Sequence, residues 1–505
     1  MDSVFKDHFY NPRNTGEMLD ADGVGSAGNQ DCGAQITIFL RFADDQICVS
    51  RYHATGSSAI IAVGSLLSVM ITDMSWNEAA AIAYASLEKS LSYQTAGNRS
   101  ATEPVGAMSE SESGRLAQAA DFAIEALHGA MEDSIRRGNF PKASGIDENH
   151  VLVAMSGGVD SSVACLLEKE AGRRVTGITM RLWNDPDCET DEEGATCCSP
   201  RAIRDARAAC HDLGLAHLTV DYSDTFESEI VDYFTGEYIA GGTPNPCTRC
   251  NGVFRFPALV ALADMIGAAW VATGHYAHII EDEGRRLLAR GRDFGKDQSY
   301  LLWVINPGLP DRLEFPLAER EKVETRKIAR DAGLIAHARP ESQEVCFIPD
   351  DDYRRFLKTR LDAMPGEGDI VASDGSKLGR HDGYVNFTVG QRRGLGVSAA
   401  EPLYVLSTFP KENLVMVGTR EQLAVNRLLL SEVNNFLSPE RLATDKFLVQ
   451  VRYNSAPVTA RLVQANPDEW KIELDEPVYG VARGQSAVIY LGEVVAAGGI
   501  IRSTV

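Results

Sequence analysis

Apolar and polar positions alternate with a period of two over Gln35–Phe42 and Gln46–Tyr52, on either side of the turn Ala43-Asp44-Asp45. Such alternation gives each face of a strand one kind of side chain, so the pair reads as a β-hairpin. The period lengthens to the helical one over Ser57–Ile71, Ser75–Leu87 and Arg115–Arg136. Thr95–Gly114 is small and polar and reads as a loop, and Gly138–His150 has linker composition, placing a boundary near residue 145. Beyond it the pattern changes. Val151–Met155 is an apolar run followed by a helix from about Asp160, and Arg174–Leu182, His217–Asp221 and Ala269–Thr273 are further strand-like runs. Ser199-Pro200 supplies an N-cap and a first-turn proline for a helix to about Leu213. Strands alternating with helices predict a parallel sheet covered on both faces. Short strands with glycine-rich turns begin near Gly366, and from about Asn426 the chain reads as all-β, as in a small barrel. The expectation is a multidomain protein. An α+β domain (1–140) and a linker (141–149) precede an α/β Rossmann-like domain (150–355). A small β-rich central domain (356–424) and a C-terminal β-barrel (425–505) complete the chain.

Composition narrows the class. With 505 residues, 44% hydrophobic and 24% charged, the chain is that of a multidomain globular protein. Its longest apolar stretch, Ala59–Ile71, is broken by Gly64, Ser65 and Ser68 and falls short of the ~20 residues of a membrane span. The start MDSVFKDHFY lacks the basic-then-apolar pattern of a secretion signal, so a cytoplasmic location without a membrane partner is expected. A net charge of −22 argues against coating nucleic acid nonspecifically. Local basic knots at Arg326, Lys327 and Arg330, at Arg354, Arg355, Lys358 and Arg360, and at Arg392 and Arg393 leave room for an anionic ligand, or are solvated faces. Seven of the ten cysteines lie between Cys165 and Cys250, a clustering that in a reducing compartment points to thiol or metal chemistry rather than crosslinks.

The strongest local signal is Ser156-Gly157-Gly158-Val159-Asp160-Ser161-Ser162, directly after a strand and opening a helix. Glycines let the backbone approach phosphate oxygens, and the helix N-terminus offers N–H groups and positive dipole to hold them. It lacks the Gly-Lys-Ser/Thr of a Walker loop and resembles the PP-loop of ATP pyrophosphatases, which implies adenylation of a substrate oxygen. Thr243–Asn251 then carries two thiols three residues apart, Cys247 and Cys250, and Glu341–Ile348 carries Cys346.

Together with Ala272–Tyr276, Gly295–Tyr300, Phe387–Gly396, Val451–Tyr453 and Gly484–Ser486, these segments resemble the bacterial tRNA-specific 2-thiouridylase family from about residue 149 to the end. The resemblance implies a PP-loop fold of the adenine nucleotide alpha hydrolase type, ATP and Mg²⁺, and replacement of the 2-oxygen of a wobble uridine by sulfur. The tRNAs would be those for Lys, Glu and Gln. ATP would be bound by Ala154, Met155, Ser156, Gly157, Gly158, Val159, Asp160, Ser161, Met180 and Gly274. Cys250 would be the nucleophile and Cys346 the persulfide carrier. Contacts to tRNA would fall to Asn245, Pro246, Cys247, His275, Lys296, Asp297, Gln298, Arg452, Tyr453 and Gln485. Structural readings stand beside these: His275 as a satisfied histidine after a strand, Lys296-Asp297 as an ion pair. A cysteine desulfurase or sulfur-relay protein would be the donor.

The family usually has Asp where Cys247 stands. Cys247, Cys250 and Cys346 therefore leave three options open: a [4Fe-4S] cluster presenting sulfide, a metal-free persulfide route, or zinc. The acidic insert Asp185–Gly194, with Cys188, and Cys197-Cys198 after it read as an exposed loop rather than a metal site. Residues 1–135 resemble the iron–sulfur scaffold proteins of the NifU/IscU type through Tyr10–Asn14, Gly28–Gly33 and Arg51–Ala59. Of that family's ligands Cys32 is kept. Ala34 replaces the aspartate, Ser57 the second cysteine, and none stands near Ser111–Gly114. The domain is expected to keep the scaffold fold without assembling clusters. The competing reading is a degenerate iron–sulfur assembly protein whose PP-loop half serves another adenylation.

Overall fold

In the computed structural model, residues 3–29, 33–83, 86–87, 90, 110–183, 199–334, 345–361, 363–444, 446–467 and 469–504 are described. The hairpin is β2 (Ala34–Ala43) with β3 (Gln46–Thr55), joined to β1 (Gly23–Asn29) in an antiparallel sheet of order β1-β2-β3. Ala43 pairs with Gln46, leaving Asp44-Asp45 as the turn, with Asp44 at φ +53°, a conformation that aspartate tolerates. β1 has no counterpart in the hydrophobic pattern, because its sequence GVGSAGN carries small residues. The long helix Glu110–Arg137 explains them: a Cβ at Gly25 would lie 2.1 Å from the Ala126 carbonyl oxygen. The expected helices at 57–71 and 115–136 are Ser58–Ile71 and Glu110–Arg137, whereas that at 75–87 is regular over Trp76–Ala80. Ser75 and Glu78 cap its start reciprocally. Of the polar loop expected over 95–114, residues 110–114 instead begin the helix Glu110–Arg137, whereas 95–109, Cys32, and the insert with Cys188, Cys197 and Cys198 lie outside the described residues.

The linker-like segment is packed. Phe140 is 3% exposed and meets Phe42 and Trp76 edge-on, with ring centroids 5.7 and 5.2 Å away. The chain then enters β4 (Asp147–Ala154), the middle of a parallel sheet with β5 (Arg174–Arg181), β6 (Ala216–Asp221), β7 (Ala268–Thr273) and, later in the chain, a two-residue edge strand, Leu313–Glu314. The long front helix and helix Trp76–Ala80 lie against β6, so one apolar core runs from the front domain into the α/β domain.

Between β7 and that edge strand, the hairpin β8 (Ala277–Asp282) and β9 (Arg285–Arg290) leaves the sheet, and Leu313–Glu314 is β10. The central domain is a four-stranded sheet of β11 (Gly368–Ala372), β12 (Lys377–His381), β13 (Tyr404–Phe409) and β14 (Leu414–Gly418). The C-terminal unit comprises β15 (Ala424–Asn435), β16 (Phe447–Gln450), β17 (Val458–Ala465), β18 (Trp470–Tyr479), β19 (Ser486–Leu491) and β20 (Val494–Thr504). These run in the order β15-β18-β17-β16-β19-β20, and β20 pairs back to β15, closing a six-stranded barrel without free edges. β9 adds to β20 and ties the barrel to the α/β domain. Among the described residues no helix is long and apolar enough to cross a membrane.

Candidate active site: a phosphate loop beside a cysteine-bearing π-helix

The order β10-β7-β4-β5-β6 reverses direction of growth at β4, and open α/β sheets bind ligands at such a switch point, beyond the carboxyl ends of the strands. Ala154 ends β4 there, and Met155 leads into the glycine loop, its N–H donating to the Ile178 carbonyl at 2.8 Å. Gly157 sits at φ +71°, where a Cβ would lie 2.4 Å from the Ala202 carbonyl oxygen, so loop and neighbouring helix touch backbone to backbone. Gly158 opens the helix Val159–Glu170 with no side chain capping it. Ser161 holds the loop's shape, its Oγ accepting from the Ser156 N–H at 3.1 Å and donating to the Gly158 carbonyl at 3.2 Å. Gly274, just past β7, closes the other side: a Cβ there would lie 2.7 Å from the Ser161 nitrogen. Met180, near the end of β5, is 7% exposed. The loop, Met180 and Gly274 thus lie at or near the carboxyl ends of the neighbouring parallel strands β4, β5 and β7.

Two groups that the sequence left unassigned converge on Asp160. Lys322 Nζ bonds both of its carboxylate oxygens, at 2.8 and 2.6 Å, and the Tyr276 hydroxyl donates to it at 3.0 Å. Burial and the Asp160 charge push the Tyr276 phenol well up. Lys322 lies 162 residues from Asp160 in sequence, and no local pattern connects them.

The cysteine loop begins at Asn245, whose side chain caps a short helix by accepting from Thr248 N–H at 3.1 Å, with Pro246 in the first turn. The helix widens into a π-helix over Cys250–Arg255. Cys250 is 5% exposed, and the Arg255 guanidinium lies 3.8 Å from its sulfur. Cys247 and Cys346 are half-buried. Cys346 precedes Phe347, whose ring lies 5.8 Å from Phe226, and Phe226 also meets Phe254 of the π-helix at 5.7 Å. The segments bearing Cys250 and Cys346 therefore both pack against the Phe226 ring. Among the described residues no three His, Cys, Asp or Glu side chains are gathered to hold a metal. Cys247, Cys250 and Cys346 do not form a ready cluster or zinc site in this conformation.

The residues expected to meet tRNA divide by environment. Tyr453 is pushed up to about 12 by burial, with Asp297 and Cys247 acting in the same direction, which places the barrel's 452–453 turn beside the cysteine loop. Gln485 donates to the Thr243 carbonyl at 2.7 Å and ties the barrel to that loop. Arg452 is exposed and bonds the Tyr479 carbonyl. Asp297 is 7% exposed, accepting from Gly291 and Ser299 N–H groups and from Arg290, so its carboxylate organises the loop. Gln298 accepts from Tyr276 N–H at 3.0 Å, while Lys296 is partly exposed. A cavity of about 420 Å³ opens between this loop and the barrel, lined among others by Phe294, Gly295, Asp297, Gln450 and Tyr453. His275 sits between Phe256 and Phe315, with Nδ1 2.7 Å from the Thr273 hydroxyl. Burial, then the Arg255 charge, pushes its pKa down to about 3, so it is neutral near pH 7.

In the front domain the scaffold positions are brought together without their ligands. Gly56, beside exposed Ser57, packs so closely on Ala34 that a Cβ would lie 2.8 Å from the Ala34 Cα. A methyl and a hydroxyl occupy the place of two ligands.

Family models match along the chain in the same order. Residues 2–114 match the NifU-like N terminal domain, 149–350 the tRNA methyl transferase HUP domain, 354–419 the tRNA methyl transferase PRC-barrel domain, and 425–501 the aminomethyltransferase beta-barrel domain. Over 98% of its length the chain is 43% identical to the bifunctional protein NifU/MnmA of Rubrobacter xylanophilus, covering 97% of that protein. Over 71% of its length it is 42% identical to the tRNA-specific 2-thiouridylase MnmA of Acidithiobacillus ferrooxidans, covering 99% of it. The counterpart in Carboxydothermus hydrogenoformans is 41% identical over 70% of the chain and 98% of that protein. With phosphate loop, cysteine-bearing π-helix and barrel all in place, the chain belongs to the tRNA-specific 2-thiouridylase family, in the form that carries a NifU-like domain at its front.

Proposed function

We propose that the protein converts the wobble uridine of cytoplasmic tRNAs, those for Lys, Glu and Gln by family, to 2-thiouridine in two half-reactions. The observation that carries this is the joining, in one α/β unit, of an uncapped glycine loop at the end of β4 with a buried cysteine under a guanidinium. In the first half-reaction the uridine O2 attacks the α-phosphorus of ATP, and the bond to the β-phosphate breaks with its electron pair leaving on pyrophosphate. The poor oxygen leaving group thereby becomes AMP. The backbone of Ser156–Ser161 holds phosphate, with Met180 and Gly274 at the nucleoside end. The Asp160 carboxylate, exposed in part at the loop, is the group suited to hold Mg²⁺, which when bound neutralises phosphate charge. In the second half-reaction a persulfide on Cys346 supplies sulfur. Cys250 attacks its inner sulfur, a Cys250–Cys346 disulfide forms, and the outer sulfur leaves as hydrosulfide that displaces AMP from C2. A two-electron thiol reductant restores the cysteines. Asn245, Pro246 and Cys247 border the base, while Lys296, Gln298, Arg452 and Tyr453 face the tRNA body, with His275, Asp297 and Gln485 positioning those loops.

The three-cysteine cluster does not fit the described arrangement, so no step runs through iron. A cysteine desulfurase is the proposed donor, and the front domain its docking body. The test is reconstitution with unmodified tRNA, ATP, cysteine and a desulfurase. Pyrophosphate and 2-thiouridine should form together. Cys250→Ser and Cys346→Ser should each abolish 2-thiouridine while pyrophosphate release persists. Thiolation by the double cysteine variant would refute the persulfide assignment. Loss of activity on removing iron from anaerobically purified protein would replace it with the cluster.

A further inference from the structure

Lys322 opens the helix Lys322–Asp331, and Asp160 lies in the first turn of the helix Val159–Glu170. A cation at a helix N-terminus faces the positive end of the dipole, an unfavourable place unless another interaction holds it there. Here that interaction is the pair with Asp160, made by both carboxylate oxygens and flanked by the Tyr276 ring 5.7 Å from the ammonium. The helix start is independently fixed. Glu321 and Glu324 form a reciprocal cap, and the Lys322 N–H donates to Asp293 at 2.9 Å. The helix therefore does not need the lysine side chain to begin where it does. The Tyr276 hydroxyl, bonded to both Asp160 and Thr325 at 3.0 and 2.9 Å, already bridges the two helices. Lys322 is thus a partly exposed ammonium at the rim of the loop, its side chain 14% exposed, on a carboxylate that belongs to the loop itself.

We propose that Lys322 is a catalytic residue of the adenylation half-reaction: it moves from Asp160 to the β- and γ-phosphates of ATP and holds the pyrophosphate as it leaves. This rests on the reading of the loop as the ATP site. The loop backbone supplies neutral donors only, and the carboxylate of Asp160 repels phosphate, so the ligand-free site pairs that repulsion with a cation. A polyphosphate presents more negative charge than one carboxylate and competes for the same ammonium. When the α-phosphorus–oxygen bond breaks, the electron pair goes to the β-phosphate oxygen, and Lys322 Nζ donates hydrogen bonds to that growing charge without giving up its proton. AMP, which lacks the β- and γ-phosphates, should not engage it.

Calorimetric binding to the full chain tests this with three probes: ATP, inorganic pyrophosphate and AMP. Lys322→Ala and Lys322→Gln should weaken ATP and pyrophosphate by about tenfold or more, the scale of a lost charge-assisted hydrogen bond, and leave AMP unchanged. Lys322→Arg should recover most of the loss, because charge and reach return. Equal loss for ATP and AMP, or no recovery with arginine, would make Lys322 a structural residue and overturn the proposal. Unchanged binding of all three probes in both variants would overturn it as well. A wild-type protein that binds neither ATP nor pyrophosphate would remove the ATP-site reading together with this inference, whereas binding by wild type with unaltered variants removes the inference alone.

Discussion

Cys250 and Arg255 are five residues apart, which in an α-helix places them ~140° apart around the axis. The π-helix over Cys250–Arg255 has more residues per turn, and it swings the guanidinium onto the cysteine's face, 3.8 Å from sulfur. On the proposed assignment of Cys250 as the attacking thiol, a cation there would stabilise negative charge on its sulfur. Arg255→Ala should therefore slow thiolation by about 10- to 100-fold, the ~1.5–3 kcal/mol of a hydrogen bond to a charged group, and Arg255→Lys should recover part of it. Single-turnover 2-thiouridine formation measures this, with pyrophosphate release as the unaffected control. Equal losses in both signals would mean that Arg255 supports the fold instead. The glycine loop was legible in the sequence because its chemistry is contiguous. Arg255 was not legible because nothing in the sequence marks the π-helix that brings it onto Cys250, and Lys322 was hidden by 162 intervening residues.

At the scale of elements, glycines mark where two backbones touch. Gly157 combines φ +71° with a Cβ position 2.4 Å from the Ala202 carbonyl oxygen. Alanine there meets both a backbone conformation costing ~1–2 kcal/mol and a clash with a rigid neighbour. Gly157→Ala should push the loop off the helix Pro200–Asp212 and weaken ATP binding more than it lowers the melting temperature. A titration with ATP alongside a thermal melt checks this, and unchanged ATP affinity would show that the loop tolerates the shift. The same rule explains the hidden strand. β1 is made of small residues because the front helix lies directly on it, and a periodicity carried by large side chains cannot reveal it. The hairpin β2–β3 was legible because its faces differ, one packed and one open. The β8–β9 hairpin was not, because its role is to add to β20, a partner some 200 residues on.

In the whole molecule, the front and α/β domains meet over buried His128 and His217 and half-buried His211, the His211 and His217 ring centroids lying 5.4 and 6.3 Å from that of His128. Burial, helped by the Arg207 charge, lowers all three pKa values, His211 to about 4, and burial also lowers His150 to about 4. Arg207, Glu125, Glu132, Arg181 and Asp221 are the charges around the cluster and its rim. A histidine whose folded pKa is depressed takes up its proton more readily when unfolded. Its contribution is complete above the unfolded value of ~6.5 and is lost as pH falls from there toward the folded value. Stability should fall from about pH 6.5 to 4, at up to ~1.4 kcal/mol per pH unit for each such group. His128→Leu, which keeps the site apolar, should flatten that slope in thermal melts taken across the window. An unchanged slope would place the sensitivity elsewhere.

The sequence by itself determined the order of domains, the glycine loop, the thiols at Cys247, Cys250 and Cys346, and the non-ligating residues Ala34 and Ser57, because each is written in adjacent residues or in a short period. Tertiary structure alone decided that the segment after residue 138 is packed, with Phe140 between Phe42 and Trp76. It alone decided that the front helix lies against β6, and that Lys322 and Tyr276 meet at Asp160. These depend on which apolar faces find each other across long separations in the chain. A hydrophobic pattern records that a face will be buried but not against what.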